Sequence, residues 1–405
     1  MRVAADPIGP SLRAGRLARL QAAMRFHSVD VCLLFNEPNV RYATGASAMP
    51  VWSNTTFVRC ALVPAEGVPI LFEHANSIHR SAQVAADVRP MHAWEFLDDA
   101  EGHADLWAGE TLDAVHDLGA SPGPIAVDRL GMPGHRALSR AGLQAIDSAP
   151  VTRDAREVKT PEEIVMLERN GALVMDMLGA FKAAIEPGVR ERDLLAVLAG
   201  AAIRGGAEHL ATNTVCSGTN GNPWRAEATN RVLQDGELVF VDTDTVGIEG
   251  YFSCVSRTFP VGERPATSAQ ADTYRASLEW LRAMEEIVRP GISCAELAHR
   301  APAMPERYLP QRYECMIHGI GLEEEGPTVC HASDPQPTPE RVIEENVALV
   351  VELYAGEVGA GHGVKLGDQG VVTSDGFRVL APYPFEEALA RPGSSRVDEG
   401  VGPSV

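Results

Sequence analysis

The chain has no CxxC pair, no long uninterrupted apolar run and too little positive charge to balance its acids. Its seven cysteines, Cys32, Cys60, Cys216, Cys254, Cys294, Cys315 and Cys330, are scattered and odd in number, which argues against a disulfide framework or a zinc knuckle. Lysine and arginine number 35 against 55 aspartates and glutamates, and the resulting net charge of -20 would repel nucleic acid and anionic membranes alike. The plain reading of that charge is a solvated surface. No basic start with a long apolar stretch behind it is present, and Asp6, Arg13, Arg16 and Arg19 interrupt the first twenty residues. Neither a signal peptide nor a membrane span is therefore expected, and the expected location is cytoplasmic. What remains is a globular chain of 405 residues, 45% hydrophobic, long enough for two domains or one large one.

From about Ser11 to Ile146 the pattern alternates between helix and strand. A helix-like Leu17 to Phe26 leads into an apolar strand from Val29 to Phe35, and a turn is expected at Asn36-Glu37-Pro38-Asn39. Phe57 to Val63, Val68 to Phe72 and Ile125-Ala126-Val127 also read as strands. Between them lies a polar, Gly- and Pro-punctuated loop holding Tyr42 and Trp52, aromatics that fit either packing or reach into a site. The character changes near Asp154. Thr160-Pro161-Glu162-Glu163 is a capping box with proline in the first turn, and Ile164, Leu167, Gly171, Val174, Leu178, Phe181 and Ile185 come after it at helical spacing. IEPGVRERDL from Ile185 is echoed by VRPGISCAEL from Val288, each joining two helices through a Pro-Gly turn. The inference is a second domain with internal pseudo-symmetry, helices covering a curved, largely antiparallel sheet.

The stretch from Glu237 to Phe259 carries the chemistry. Leu238, Phe240, Asp242 and Asp244 share one strand parity, so two carboxylates about 7 Å apart point the same way from an apolar ribbon. Such a pair is costly unless a cation sits between, and a metal ion answers that need; a polar strand end is the other reading. Cys254, on the returning arm, can face the same place. Farther on, His318 precedes a Gly-x-Gly run, which suits a ligand, an acid/base or a packed side chain. Glu352 stands alone in the apolar VALVVELYA, a placement that favours function. The partner strand, Val364 to Thr373, offers Lys365 and Asp368, with His362 just before it.

With Asp242, Cys254, His318, Glu352 and the Gly367 position in this order, the chain resembles the pita-bread superfamily that includes methionine aminopeptidase, prolidase and creatinase. The resemblance runs from NVRYATG at Asn39 through REVKTPEEIVMLERNGAL at Arg156 and covers nearly the whole chain. It implies an α+β fold: a creatinase-type N-terminal α/β domain over 1–153, a pseudo-symmetric pita-bread catalytic domain over 154–390 and a flexible tail over 391–405. Within it the nearest group is the pita-bread type of dimethylsulfoniopropionate lyase. The shared features are the doubled acid at Asp242 and Asp244, NPW at Asn222 to Trp224, Tyr313 five residues before His318, and HGIGL with acids after it and no second histidine.

Two ligand positions differ from the family, Cys254 for an aspartate and Gly367 for a glutamate. The implied metal ligands are thus Asp242, Asp244, Cys254, His318 and Glu352 around one divalent Fe or Zn, with the metal-free arrangement of creatinase as the alternative. The implied reaction is a base-initiated β-elimination, cleaving C–S in a small zwitterionic carboxylate. Its alternatives are a metal-independent, creatinase-like C–N hydrolase using His318, then a dipeptidase or a non-catalytic homologue. By resemblance Glu324, six residues after His318, is the base and Tyr313 orients substrate; Glu323 and Glu325 read as a solvated turn. Trp224 would face the sulfonium by cation–π attraction. Tyr42, Trp52 and His362 complete the expected substrate contacts. A homodimer is implied in which the Tyr42 to Trp52 loop visits the other subunit's site.

Overall fold

In the computed structural model the described residues are 8–390, apart from 55, 57, 96, 121, 122, 225, 336, 337 and 339. The expected tail over 391–405 and the Phe57 start of one expected strand lie outside the described residues. The first domain runs α1 (Gly9–Phe26), β1 (Val31–Leu34), α2 (Glu37–Thr44), α3 (Pro50–Asn54), β2 (Cys60–Pro64), β3 (Ile70–Glu73), α4 (Ile78–Ser81), β4 (Asp87–Pro90), α5 (Ala100–Asp117), β5 (Ile125–Val127), α6 (Met132–Arg140), β6 (Ala145–Asp147) and α7 (Ala149–Glu157). Its six strands lie in the order β4-β3-β2-β1-β5-β6. β1 is buried along its whole length, as its unbroken apolar run requires of a central strand covered on both faces.

Two local readings need correction. The expected turn at Asn36 to Asn39 is the start of α2, with Pro38 in the first helical turn, where its missing N–H costs nothing, and Gly45 at φ 75° closing the helix. The expected loop beyond it carries the short helix α3. Asp154, where the composition changes, lies inside α7, so a helix carries the chain from one domain to the next.

The second domain begins with α8 (Pro161–Ala183) and α9 (Glu191–Arg204), then β7 (His209–Leu210), β8 (Val215–Ser217), β9 (Leu238–Asp242), β10 (Thr245–Val246), β11 (Phe252–Ser253) and β12 (Ser256–Pro260). Next come α10 (Ser268–Ile287), α11 (Cys294–Arg300), β13 (Cys315–Ile320), β14 (Glu324–Cys330), β15 (Ala348–Gly356), β16 (Gly363–Thr373), β17 (Gly376–Val379) and α12 (Glu387–Ala390). The capping box forms as written: Thr160 Oγ1 accepts from Glu163 N–H at 3.2 Å, and the Glu163 carboxylate from Thr160 N–H at 2.9 Å. The main sheet is antiparallel, in the order β14-β13-β15-β16-β12-β9-β8, with β17 beside β16.

The internal repeat is visible in hydrogen bonds. Gly188 N–H donates to Leu233 O at 2.9 Å and Leu233 N–H to Val189 O at 2.8 Å; Gly291, Ile343 and Ile292 repeat both bonds at 2.8 Å. Gly188 and Gly291 both take positive φ, 94° and 87°, which only glycine adopts cheaply. In each copy the chain then enters a strand, β9 or β15, whose acid, Asp242 or Glu352, lies at the matching place. One continuous apolar cluster joins the domains, running from Leu12, Leu20 and Tyr42 to Met166, Tyr251, Cys254 and Ile320. Among the described residues no helix is long and apolar enough to cross a membrane.

Candidate active site

Four neighbouring strands set the site. Asp242 on β9 pairs with Ser256 on β12, Ser256 with Gly367 on β16, and Gly367 with Glu352 on β15. Directly opposed residues of antiparallel strands point to the same face, so Asp242, Ser256, Gly367 and Glu352 form one row with an acid at each end. Ser256 Oγ donates to Asp242 Oδ1 at 2.9 Å. Cys254, between β11 and β12, directs its thiol to Asp242 Oδ1 at 3.4 Å and to Glu352 Oε2 at 4.0 Å. His318 on β13 brings Nε2 within 3.7 Å of Glu352 Oε1, while its Nδ1 is 3.0 Å from Gly319 O. The glycine after the histidine is required: a Cβ at Gly319 would lie 2.1 Å from the backbone oxygen of Gly326. Asp244, half-buried beyond the end of β9, accepts from Thr212 Oγ1 at 3.0 Å.

Lys365 completes the cluster. It is fully buried; its ammonium donates to Glu352 Oε2 and stands 3.7 Å from Asp242 Oδ2. The same nitrogen lies 4.7 Å from the centre of the Trp224 ring and 4.6 Å from that of Tyr313. Burial works against its charge, yet Glu352 and Asp242 outweigh burial and hold the ammonium well above the ordinary lysine range. Burial first, and then the facing Asp242 and Glu352, push the Asp244 carboxyl well up. Burial and the same three carboxylates push the Cys254 thiol up.

The other expected contacts divide. Tyr313 and Trp224 stand at the cluster, their rings 5.8 Å apart and edge to face. Lys365 and Tyr354 both lie against the Trp224 ring. Tyr42 is a packing residue: it is buried on α2, and its hydroxyl donates to Ala155 O at 2.8 Å. Trp52 stacks on His74 at 5.5 Å, and His362 reaches Thr273 of α10 at 3.4 Å, so within one chain neither is brought to the carboxylates. Glu323 and Glu325 are not a solvated turn. Arg156 binds Glu323 at 2.6 Å and Glu325 at 2.5 Å, and Lys159 also pairs with Glu325. Glu324 between them is exposed, at the first position of β14.

Residues 166–374 match the model of metallopeptidase family M24, and residues 16–158 match the creatinase/prolidase N-terminal domain. The chain belongs to metallopeptidase family M24. It is 30% identical over 371 residues to dimethylsulfoniopropionate lyase DddP of Roseobacter denitrificans, covering 88% of this chain and 82% of that protein. Its identity to the DddP of Roseovarius nubinhibens is 28% over 393 residues, 93% and 87% of the two chains. Among solved structures it resembles dipeptidase PepE from Mycobacterium ulcerans, with a TM-score of 0.74, 25% identity and coverage of 93% and 97%.

Enzymes of family M24 usually hold divalent metal ions, and this chain has candidate ligands for one. The donor atoms of Cys254, His318 and Glu352 lie within 4.8 Å of one another, as do those of Asp242, Asp244 and Cys254. These donors are a thiol, an imidazole and carboxylates converging from β9, β13, β15 and the turn before β12, so the residues fit such an ion. Of the cluster, Lys365 is expected only as a residue its strand offers, without a role, and Ser256 is not expected at all. Lys365 had a signal, since a lysine inside GVKLGDQGVV has no exposed face to reach; Ser256 had none apart from its register opposite Asp242.

Proposed function

We propose that the chain is a C–S lyase acting on a small zwitterion with a carboxylate at one end and a sulfonium on the β carbon, of the kind its relatives' name states, dimethylsulfoniopropionate. The observation that carries this reading is the sorting of three successive glutamates. Arg156 and Lys159 take up Glu323 and Glu325, whereas the Glu324 side chain has no hydrogen bond or ion pair among the described residues. Glu324 lines a cleft of about 400 Å³ between the domains, with Asn36 and Arg129 on one side and Phe252 and Leu322 on the other. Burial and Glu352 push the Tyr313 phenol up, and Glu324 adds to that push.

In this reading Glu324 takes the proton from the carbon next to the substrate carboxylate. The electron pair of that C–H bond becomes the second bond between the α and β carbons. The C–S bond breaks, dimethyl sulfide leaves with the bonding pair, and acrylate remains. Negative charge builds toward the carboxylate as the proton leaves, so donors aimed there lower the barrier. The Tyr313 phenol, kept protonated, is the donor this chain offers. A divalent ion held by Asp242, Asp244, Cys254, His318 and Glu352 would supply further positive charge at the same end. Hydrolysis of a C–N bond is the second reading, and it draws support from the likeness to a dipeptidase.

Glu324→Gln and Tyr313→Phe are each expected to lower dimethyl sulfide release from dimethylsulfoniopropionate by about 10²- to 10⁴-fold, read by gas chromatography on folded protein. Unchanged rates in either variant would remove that residue from the mechanism, and no release by the wild type would sink the lyase reading. We further propose a homodimer, with Trp52 and its loop closing the partner's cleft; Met49 and Val51 in that loop are each 50% exposed.

A further inference from the structure

We infer that Lys365 is a built-in replacement for one of two cations, so that each chain holds a single divalent ion rather than a pair. The two ligand groups, Asp242-Asp244-Cys254 and Cys254-His318-Glu352, share Cys254 and would by themselves invite two ions side by side. The row beneath them is closed. Gly367 brings no side chain to the row, and a Cβ there would lie 3.0 Å from Glu352 Cβ and 3.2 Å from Ser256 Oγ, a tight fit against both neighbours. Lys365 lies two residues along the same strand and on the same face, and its ammonium spans the two ends of the row, bonded to Glu352 and 3.7 Å from Asp242. Trp224 and Tyr313 wall it in. No rearrangement of a long side chain into solvent is open to it, because the whole lysine is buried.

Charge also favours one ion over two. Asp242, Asp244 and Glu352, when ionised, and Cys254 as a thiolate ligand carry four negative charges, and Lys365 returns one. One divalent ion leaves a single negative charge. A second would place excess positive charge beside a buried ammonium, where little water is present to screen it. The ion that fits is also constrained in kind. A thiol shared by both ligand groups suits zinc or ferrous iron better than magnesium.

The decisive measurement is metal stoichiometry of the full-length protein, stripped with a chelator, titrated with Zn²⁺ and read by calorimetry and by elemental analysis after dialysis. One equivalent per chain is expected; two equivalents, or none, overturn the inference. Lys365→Met keeps the length of the side chain and removes its charge. It is expected to bind the first Zn²⁺ at least tenfold more tightly and to admit a second equivalent, and an unaltered titration would refute the role given to Lys365. Should that variant fail to fold, Co²⁺ titration of the wild type serves instead. A thiolate-to-cobalt band that saturates at one equivalent supports the inference, and growth of the visible bands to two equivalents overturns it. All of these readouts are of binding, so they stand whether or not the chain is a lyase.

Discussion

Glu323, Glu324 and Glu325 are chemically alike and adjacent, yet Arg156 and Lys159 separate their fates. Glu325 is the clearest case. Burial would raise its carboxyl, but Lys159 and Arg156 outweigh burial and hold it below the ordinary glutamate value of 4.5. A group depressed on folding contributes stability that is complete above its unfolded pKa and is lost as pH falls through the folded value. Glu325→Gln is therefore expected to cost about 3–5 kcal/mol near neutrality, because it leaves the buried Lys159 without its carboxylate and Arg156 with Glu323 alone, and to flatten the decline in stability below about pH 4.5. Urea unfolding at a series of pH values measures both effects; parallel curves for variant and wild type would contradict the assignment. At this scale the site was largely legible. Acids and a histidine inside apolar strands announced Asp242, His318 and Glu352, since burying them has no packing benefit. Tyr42 was misleading because its partner, the Ala155 carbonyl, is 113 residues away and cannot be seen from local pattern.

At the scale of elements, β13 and β14 approach so closely that Gly319 has no room for a side chain: its Cβ would meet the Gly326 oxygen at 2.1 Å. The pairing between these strands is already irregular, with register shifts on both sides of Ile317. Gly319→Ala is expected to destabilise the protein by about 1–3 kcal/mol through overpacking and to shift His318 relative to Glu352. Chemical denaturation reads the first effect, and a weakened affinity for Zn²⁺ reads the second. Wild-type stability and affinity in the variant would show that the two strands can part without consequence. Helices with strong terminal chemistry were legible in the sequence, and the Thr160 capping box formed as written. α2 was hidden because Asn-Glu-Pro-Asn serves equally as a turn and as a helix start, and only the packing of Val40, Tyr42 and Ala43 into the core decides between them. The repeat was legible through its Pro-Gly turns, but the alignment of Asp242 with Glu352 needed the paired hydrogen bonds around Leu233 and Ile343.

Across the whole molecule, the two domains share one apolar cluster and enclose the cleft bordered by Glu324. The proposed dimer adds a second layer to that closure. Light scattering behind size-exclusion chromatography is expected to give twice the mass of one chain, and Trp52→Ala to lower turnover while leaving that mass unchanged. A fully active species with the mass of one chain would overturn the arrangement. The buried ammonium of Lys365 also bears on how such a protein meets scarcity. A bound metal must be obtained from the surroundings and can be lost to any stronger scavenger, whereas a lysine is delivered by translation with every copy of the chain. Positive charge at the heart of the carboxylate cluster is in that sense inherited rather than foraged, and part of the site's electrostatic character persists through metal starvation.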